Sequence, residues 1–195
     1  MRNKAVVVGA LGVIGRYIVE RLATEPDWQV VGLSRRKTTD GPQYHHIAVD
    51  LLDPKDTKRK LAKLRDATHV FYAAFQATPG SAANFACNTG PNREMLVNSV
   101  TAINGAAPHL KRVVLVTGTK YYGVHLGPLK TPMRETDPRH IPANYYFDQM
   151  YVFGADWDVM SDVTKSRLYG FHEVVDSEAM FVRLLRRFRE ERIVP

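Results

Sequence analysis

KAVVVGALGVIG, running from Lys4 to Gly15, is the stretch around which the chain is organised. Ala5-Val6-Val7-Val8 is an unbroken apolar run, as expected of a parallel strand covered on both faces. It leads directly into Gly9, Gly12 and Gly15, spaced G-x-x-G-x-x-G. Glycines at such points allow a tight turn, bring backbone up to a phosphate and let the following helix sit close to the strand. A pyrophosphate would rest on the N–H groups at that helix's N-terminus, where the dipole favours negative charge. Glycines of this spacing also serve in plain tight turns. A strand before them and an amphipathic helix after them are the context that dinucleotide binding requires.

Outward from the glycines, Ile14, Ile18, Val19 and Leu22 recur at helical spacing and predict a helix over Val13 to Thr24. Glu25-Pro26-Asp27 stops it. A second strand, Gln29 to Leu33, ends in Ser34-Arg35-Arg36. NAD-selective folds place a carboxylate at the end of this strand for the adenosine ribose hydroxyls. Two guanidinium groups stand there instead, and their planar forks suit a 2′-phosphate, so the expected cofactor is NADP(H). The plainer alternative is a solvated arginine pair on a loop.

The pattern repeats downstream. A third strand, His46 to Val49, closes at Asp50-Leu51. His45 and His46 are adjacent and so point to opposite faces; no histidine pair has a metal-binding spacing. Asp53 is a candidate N-cap with Pro54 at the first helical position. That helix carries Lys55, Lys58, Arg59, Lys60 and Lys63, expected to form a solvated face, with Leu61 and Leu64 turned inward. A fourth strand covers Thr68 to Ala74, a loop covers Gln76 to Gly90, and a helix runs from about Asn92 to Ala107. A fifth strand, Arg112 to Val116, delivers Thr117-Gly118-Thr119-Lys120-Tyr121-Tyr122-Gly123 to the same crevice. Five such units in series predict an α/β doubly wound parallel sheet, Rossmann-like, in the order 3-2-1-4-5. After a Pro-rich connection, Asn144-Tyr145-Tyr146-Phe147-Asp148-Gln149 forms an aromatic cluster. Near the end, Asp176 can cap a helix with an apolar stripe of Met180, Phe181, Leu184, Leu185 and Phe188.

Composition narrows the function classes. The chain has 195 residues, 45% of them hydrophobic and 24% charged, ordinary values for a globular protein. It opens on a strand rather than a basic leader, and no apolar run approaches the roughly 20 residues of a membrane span. The single cysteine, Cys87, cannot form an internal disulfide; a cytoplasmic protein is expected. The net charge of +7 is uneven, with twenty Lys and Arg against twelve Asp and Glu up to residue 155, and seven against eight after it. Such an excess could serve nucleic acid, but no aromatic residues interleave with the basic helix for base stacking. The expected partner is a small molecule, with no nucleic acid and no membrane, and a homodimer is compatible with the sequence.

These pieces coincide in VVVGALGVIG, GLSRR, THVFYAAF, VTGTKYYG, NYYFDQ, DVTKSRLYGF and the closing DSEAMFVRLLRRFREERIVP. Together they resemble the progesterone 5β-reductase and iridoid synthase family of atypical short-chain dehydrogenases. The resemblance implies that Gly9, Gly12 and Gly15 lie under the pyrophosphate, Arg35 and Arg36 at the 2′-phosphate, and Asp50 near the adenine. Leu11, Val13, Ser34, Leu51, Ala73 and Thr117 complete the cofactor set that it implies. Lys120 takes the place of the catalytic lysine. Members of the family reduce an enone, a tyrosine and the lysine stabilising charge on the oxygen, which is where pre-placed donors lower a barrier most.

Two departures accompany the resemblance. The family's block is N-F-Y-Y-x-x-E-D, its second tyrosine catalytic; in the register of Asn144, that place holds Phe147, which has no hydroxyl. Tyr146 is the nearest stand-in, although neighbours on a helix diverge by about 100°. Beyond the block, Tyr151-Val152-Phe153-Gly154 passes almost directly into Asp156-Trp157, where the family continues through a substrate-covering region. The expected organisation is an NADP-binding domain over 1–150, then a segment over 151–195 with a docking helix, after an omitted or deleted stretch. Against the reductase reading stands a second one, a cofactor-binding module with impaired catalysis.

Overall fold

A computed structural model of the chain describes residues 2–78, 85–116, 164–173 and 176–193. Two compact units emerge, one of residues 1–127 with 138–156, the other of 128–137 with 157–195. The expected 150/151 boundary lies outside the described residues.

Among the described residues, the first unit is a five-stranded parallel sheet with helices on both faces. Its elements are β1 (Asn3–Val8), α1 (Val13–Ala23), β2 (Trp28–Ser34), β3 (Tyr44–Ala48), α2 (Pro54–Leu61), β4 (His69–Tyr72), α3 (Thr89–Ala106) and β5 (Arg112–Leu115). A single 3₁₀ turn, Phe85–Asn88, leads into α3. The strand order is β3-β2-β1-β4-β5, as the repeated strand–helix pattern predicts. In register, Val6 lies between Val31 of β2 and Val70 of β4. The order therefore reverses between β1 and β4, and the carboxyl ends of these two strands open a crevice.

The uninterrupted apolar run of β1 has a physical cause. Side chains alternate along a strand, and both faces are covered. Val6 and Val8 face the larger core, with Val31, Leu33, Leu61, Met95 and Ile103, while Val7 and Val30 face the stripe Ile18, Val19 and Leu22 of α1. Asp53 caps α2 as its sequence position suggests, Oδ1 accepting from Lys55 N at 2.9 Å and Asp56 N at 3.1 Å. His46 is buried and His45 exposed, on opposite faces of β3.

Three features differ from expectation. Helix α3 begins at Thr89, three residues before the expected Asn92. Pro91 stands in its first turn, where the missing N–H has no intrahelical partner to lose, so Gly90-Pro91 opens the helix instead of lying in the loop. Lys60 does not belong to a solvated face. Its Nζ donates to Ala48 O at 2.6 Å and to Asp56 Oδ2 at 2.7 Å, and Arg59 also pairs with Asp56. β5 pairs with β4, yet all four of its residues are exposed.

In the second unit, α4 (Thr164–Leu168) had no counterpart in the sequence reading. Helix α5 (Ser177–Glu190) is capped as expected, Asp176 Oδ1 accepting from Ala179 N at 2.8 Å. Its stripe is half-buried at Met180, Leu184 and Phe188 and exposed at Phe181 and Leu185.

Candidate functional site

At the crevice, β1 turns into α1 through the glycines. Gly9 has φ +85°, in the left-handed region, and a Cβ there would lie 2.7 Å from the Cα and N of Ala74. A Cβ at Gly15 would lie 2.1 Å from Gly9 O, so α1 can approach β1 this closely only with glycine at that position. Gly12 caps α1 without a side-chain hydrogen bond, and the first turn has no acidic residue. Nothing on the helix itself thus neutralises the partial positive charge of its N-terminus. These are the properties of a phosphate cradle.

The crevice is a cleft of about 740 Å³. The glycine turn supplies one wall through Gly9, Leu11, Gly12, Val13 and Ile14. The end of β2 supplies another with Leu33, Ser34, Arg35 and Arg36. Val49 and Leu51 make an apolar third, and Ala73 to Gln76, with Met95, close the far side. Most of the expected cofactor set therefore converges on one space. Gly15 is buried behind the turn and acts through packing. Asp50 does not line the cleft. It is exposed, and its Oδ1 accepts from Leu52 N at 3.0 Å, leaving Val49 and Leu51 on either side to form the wall. Thr117, Lys120, Tyr146 and Phe147 lie outside the described residues.

The end of β2 is basic. Arg35, Arg36 and Lys37 follow one another there, all exposed. The first carboxylate in the loop is Asp40, and both its oxygens point back to β3. Oδ1 accepts from His46 N at 2.8 Å, and Oδ2 lies 2.7 Å from His45 Nδ1. Those bonds, the backbone one first, hold the Asp40 carboxyl below the usual carboxylate range. Ser34 Oγ donates to Arg36 O at 2.7 Å and lies 2.9 Å from His46 Nε2.

The far side of the cleft holds residues that sequence reasoning missed. Asn92 of α3 clamps the backbone of Gln76, its Oδ1 accepting from Gln76 N at 2.8 Å and its Nδ2 donating to Gln76 O at 2.7 Å. Asn88 Oδ1 accepts from Thr78 N at 2.6 Å. Gln76 Oε1 and Asn88 Nδ2 are buried, and neither has a partner among the described residues. A buried polar atom without a partner costs about 1–3 kcal/mol, so Gln76 Oε1, in a residue of the cleft wall, is suited to a ligand's donor or to water. The Tyr72 hydroxyl is also buried without a partner among the described residues, and burial pushes its pKa up to about 12. It stays protonated across the ordinary pH range.

Among the described residues, no three or more His, Cys, Asp or Glu side chains converge as a metal site. No described helix is long and apolar enough to cross a membrane. Cys87 is free and exposed.

Residues 46–185 match the family described as the PRISE-like Rossmann-fold domain. The chain is 34% identical over 157 residues to an (S)-8-oxocitronellyl enol synthase of Nepeta cataria, covering 74% of this chain and 39% of that protein. It is 34% identical over 160 residues to a 3-oxo-Delta(4,5)-steroid 5-beta-reductase of Arabidopsis thaliana, with the same two coverages. A short chain dehydrogenase, gsfE, of Penicillium aethiopicum is 32% identical over 162 residues, covering 76% of this chain and 41% of its own. The chain thus spans about two fifths of the length of the curated relatives it matches. Among solved structures, the Bordetella bronchiseptica enzyme WbmH in complex with NAD+ superposes with a TM-score of 0.58 at 22% identity, over 82% of this chain and 55% of its own. That likeness shows the fold.

Proposed function

The chain belongs to the PRISE-like Rossmann-fold family, and from that membership we propose that it binds NADP(H) and reduces an activated C=C bond, as in an enone, or a carbonyl of a small molecule. The observation that carries the cofactor half is the end of β2. It presents Ser34, Arg35 and Arg36 to the cleft and no carboxylate. Charge-assisted bonds from guanidinium to phosphate are the strong kind, and a ribose 2′-hydroxyl offers no charge to match them. The names of the relatives support the reductase half, two of them being a steroid 5-beta-reductase and a short chain dehydrogenase.

In this reading each part of the chain has a task. The first turn of α1 binds the pyrophosphate through its free N–H groups. Arg35 and Arg36 bind the 2′-phosphate. Leu51 offers apolar surface to the adenine, and Gln76, its backbone clamped by Asn92, offers an acceptor at the far side. A bound NADPH supplies the hydride. Lys120 places a positive charge where the substrate oxygen gains negative charge, and Tyr146 is the hydroxyl closest in sequence to the place held by Phe147. The free thiol of Cys87 suits a cytoplasmic setting.

Phe147 motivates a second reading, an NADP-binding module with impaired catalysis. One experiment separates the two: the loss of NADPH absorbance with a conjugated enone, for the protein and for F147Y. Turnover by the unaltered chain supports the reductase. Turnover only in F147Y, by a factor of 100 or more if a hydroxyl donor is worth about 3 kcal/mol, supports the impaired module. No turnover in either, without cofactor binding, would falsify both.

A further inference from the structure

The loop that joins β2 to β3 carries the cations of the cleft, but exposed arginines are long and lose entropy when they hold a ligand. A site that discriminates by one phosphate gains from a backbone fixed beforehand. The loop is fastened at both ends, and both fastenings lead to His46. At its start, Ser34 Oγ donates to Arg36 O at 2.7 Å. A hydroxyl has a single hydrogen, so toward His46 Nε2, 2.9 Å away, Ser34 Oγ is the acceptor. The network therefore assigns the proton of the ring to Nε2. At its end, Asp40 Oδ1 accepts from the backbone N–H of the same histidine at 2.8 Å.

His46 itself is 9% exposed, is paired with Gly32 in the sheet, and does not line the cofactor cleft. We propose that His46 is a specificity-determining positioning residue. Its Nε2–H holds Ser34 Oγ, which in turn holds the Arg36 carbonyl, and so presents the Arg35–Arg36 backbone in the conformation that receives a 2′-phosphate. Burial keeps the ring below the usual histidine range, so near neutral pH the donor is the uncharged tautomer. The inference rests on the NADP(H) reading and adds to it a residue that touches no ligand.

The probes are 2′,5′-ADP and 5′-AMP, which differ only in the 2′-phosphate, titrated by calorimetry into the full chain. In the unaltered protein, 2′,5′-ADP binds more tightly. In H46L the ratio of the two affinities falls about tenfold, while 5′-AMP binding is unchanged. In H46Q the amide N–H₂ replaces the Nε2–H donor and the ratio returns. If H46L does not fold, H46N takes its place, its amide one carbon too short to reach Ser34. A ratio unchanged in the variant overturns the inference alone. An equal loss for both probes also overturns it, by reducing His46 to a structural residue. An unaltered protein that does not distinguish the probes overturns the NADP(H) reading and this inference together.

Discussion

Replacing Gly15 by alanine sets two physical effects against each other. Intrinsic propensity favours the change, since alanine in a helix gains up to about 1 kcal/mol over glycine. The packing opposes it. The new Cβ would meet Gly9 O at 2.1 Å and Gly9 C at 2.7 Å, both backbone atoms with no rotamer to yield. Ordinary contact begins near 3.4 Å, so α1 must retreat from β1 by about 1 Å. That retreat loosens Ile18, Val19, Leu22 and Ala23 from Val7 and Val30. Overpacking of this sort costs about 1–3 kcal/mol, enough to reverse the propensity term. The control is Gly105 of α3, where an added Cβ meets nothing within 4 Å. G105A should stabilise by up to about 1 kcal/mol, less any fraying of the helix end. Urea denaturation of the three proteins gives the comparison. A G15A protein as stable as the unaltered chain, or more stable, would refute the close approach of α1 to the glycine turn.

Two further outcomes follow from local geometry. D53A removes the acceptor of Lys55 N and Asp56 N and should cost about 1 kcal/mol in urea denaturation, with D53N retaining most of it. Stability should fall as pH drops through about 6.5, because burial holds His46 and His69 below that value in the folded chain. The unfolded chain then binds the extra protons, and the loss levels off below the folded-state values. Urea midpoints at about pH 7.5 and about pH 5.5 measure it; a midpoint that rises on acidification contradicts the burial of both rings.

The fold was legible because its signals are local. The apolar run of Ala5–Val8, the glycines after it and the change of hydrophobic period from strand to helix are each contained within about a dozen residues. The position of Arg35 and Arg36 on the cleft was legible for the same reason, since the end of a second strand borders the crevice of such a sheet. What escaped were pairings made by the sheet. His46 reaches Ser34 across twelve positions and Asn92 reaches Gln76 across sixteen, and no spacing rule announces either. Asp50, expected beside the adenine by resemblance, is exposed outside the lining of the cleft, and one of its carboxylate oxygens accepts from the amide of Leu52. Pro91 concealed the start of α3 because proline is a breaker in most of a helix and harmless in its first turn.

The central claim is that the cleft between the glycine turn and the end of β2 is built for a 2′-phosphorylated dinucleotide. Its most direct test is calorimetric titration of the full chain with NADPH and with NADH under identical salt. Hydrogen bonds to charged groups contribute about 1.5–3 kcal/mol, so NADPH should bind about 10–100-fold more tightly, and R35A/R36A should abolish the difference without weakening NADH. Equal affinities in the unaltered chain, or tighter binding of NADH, would contradict it.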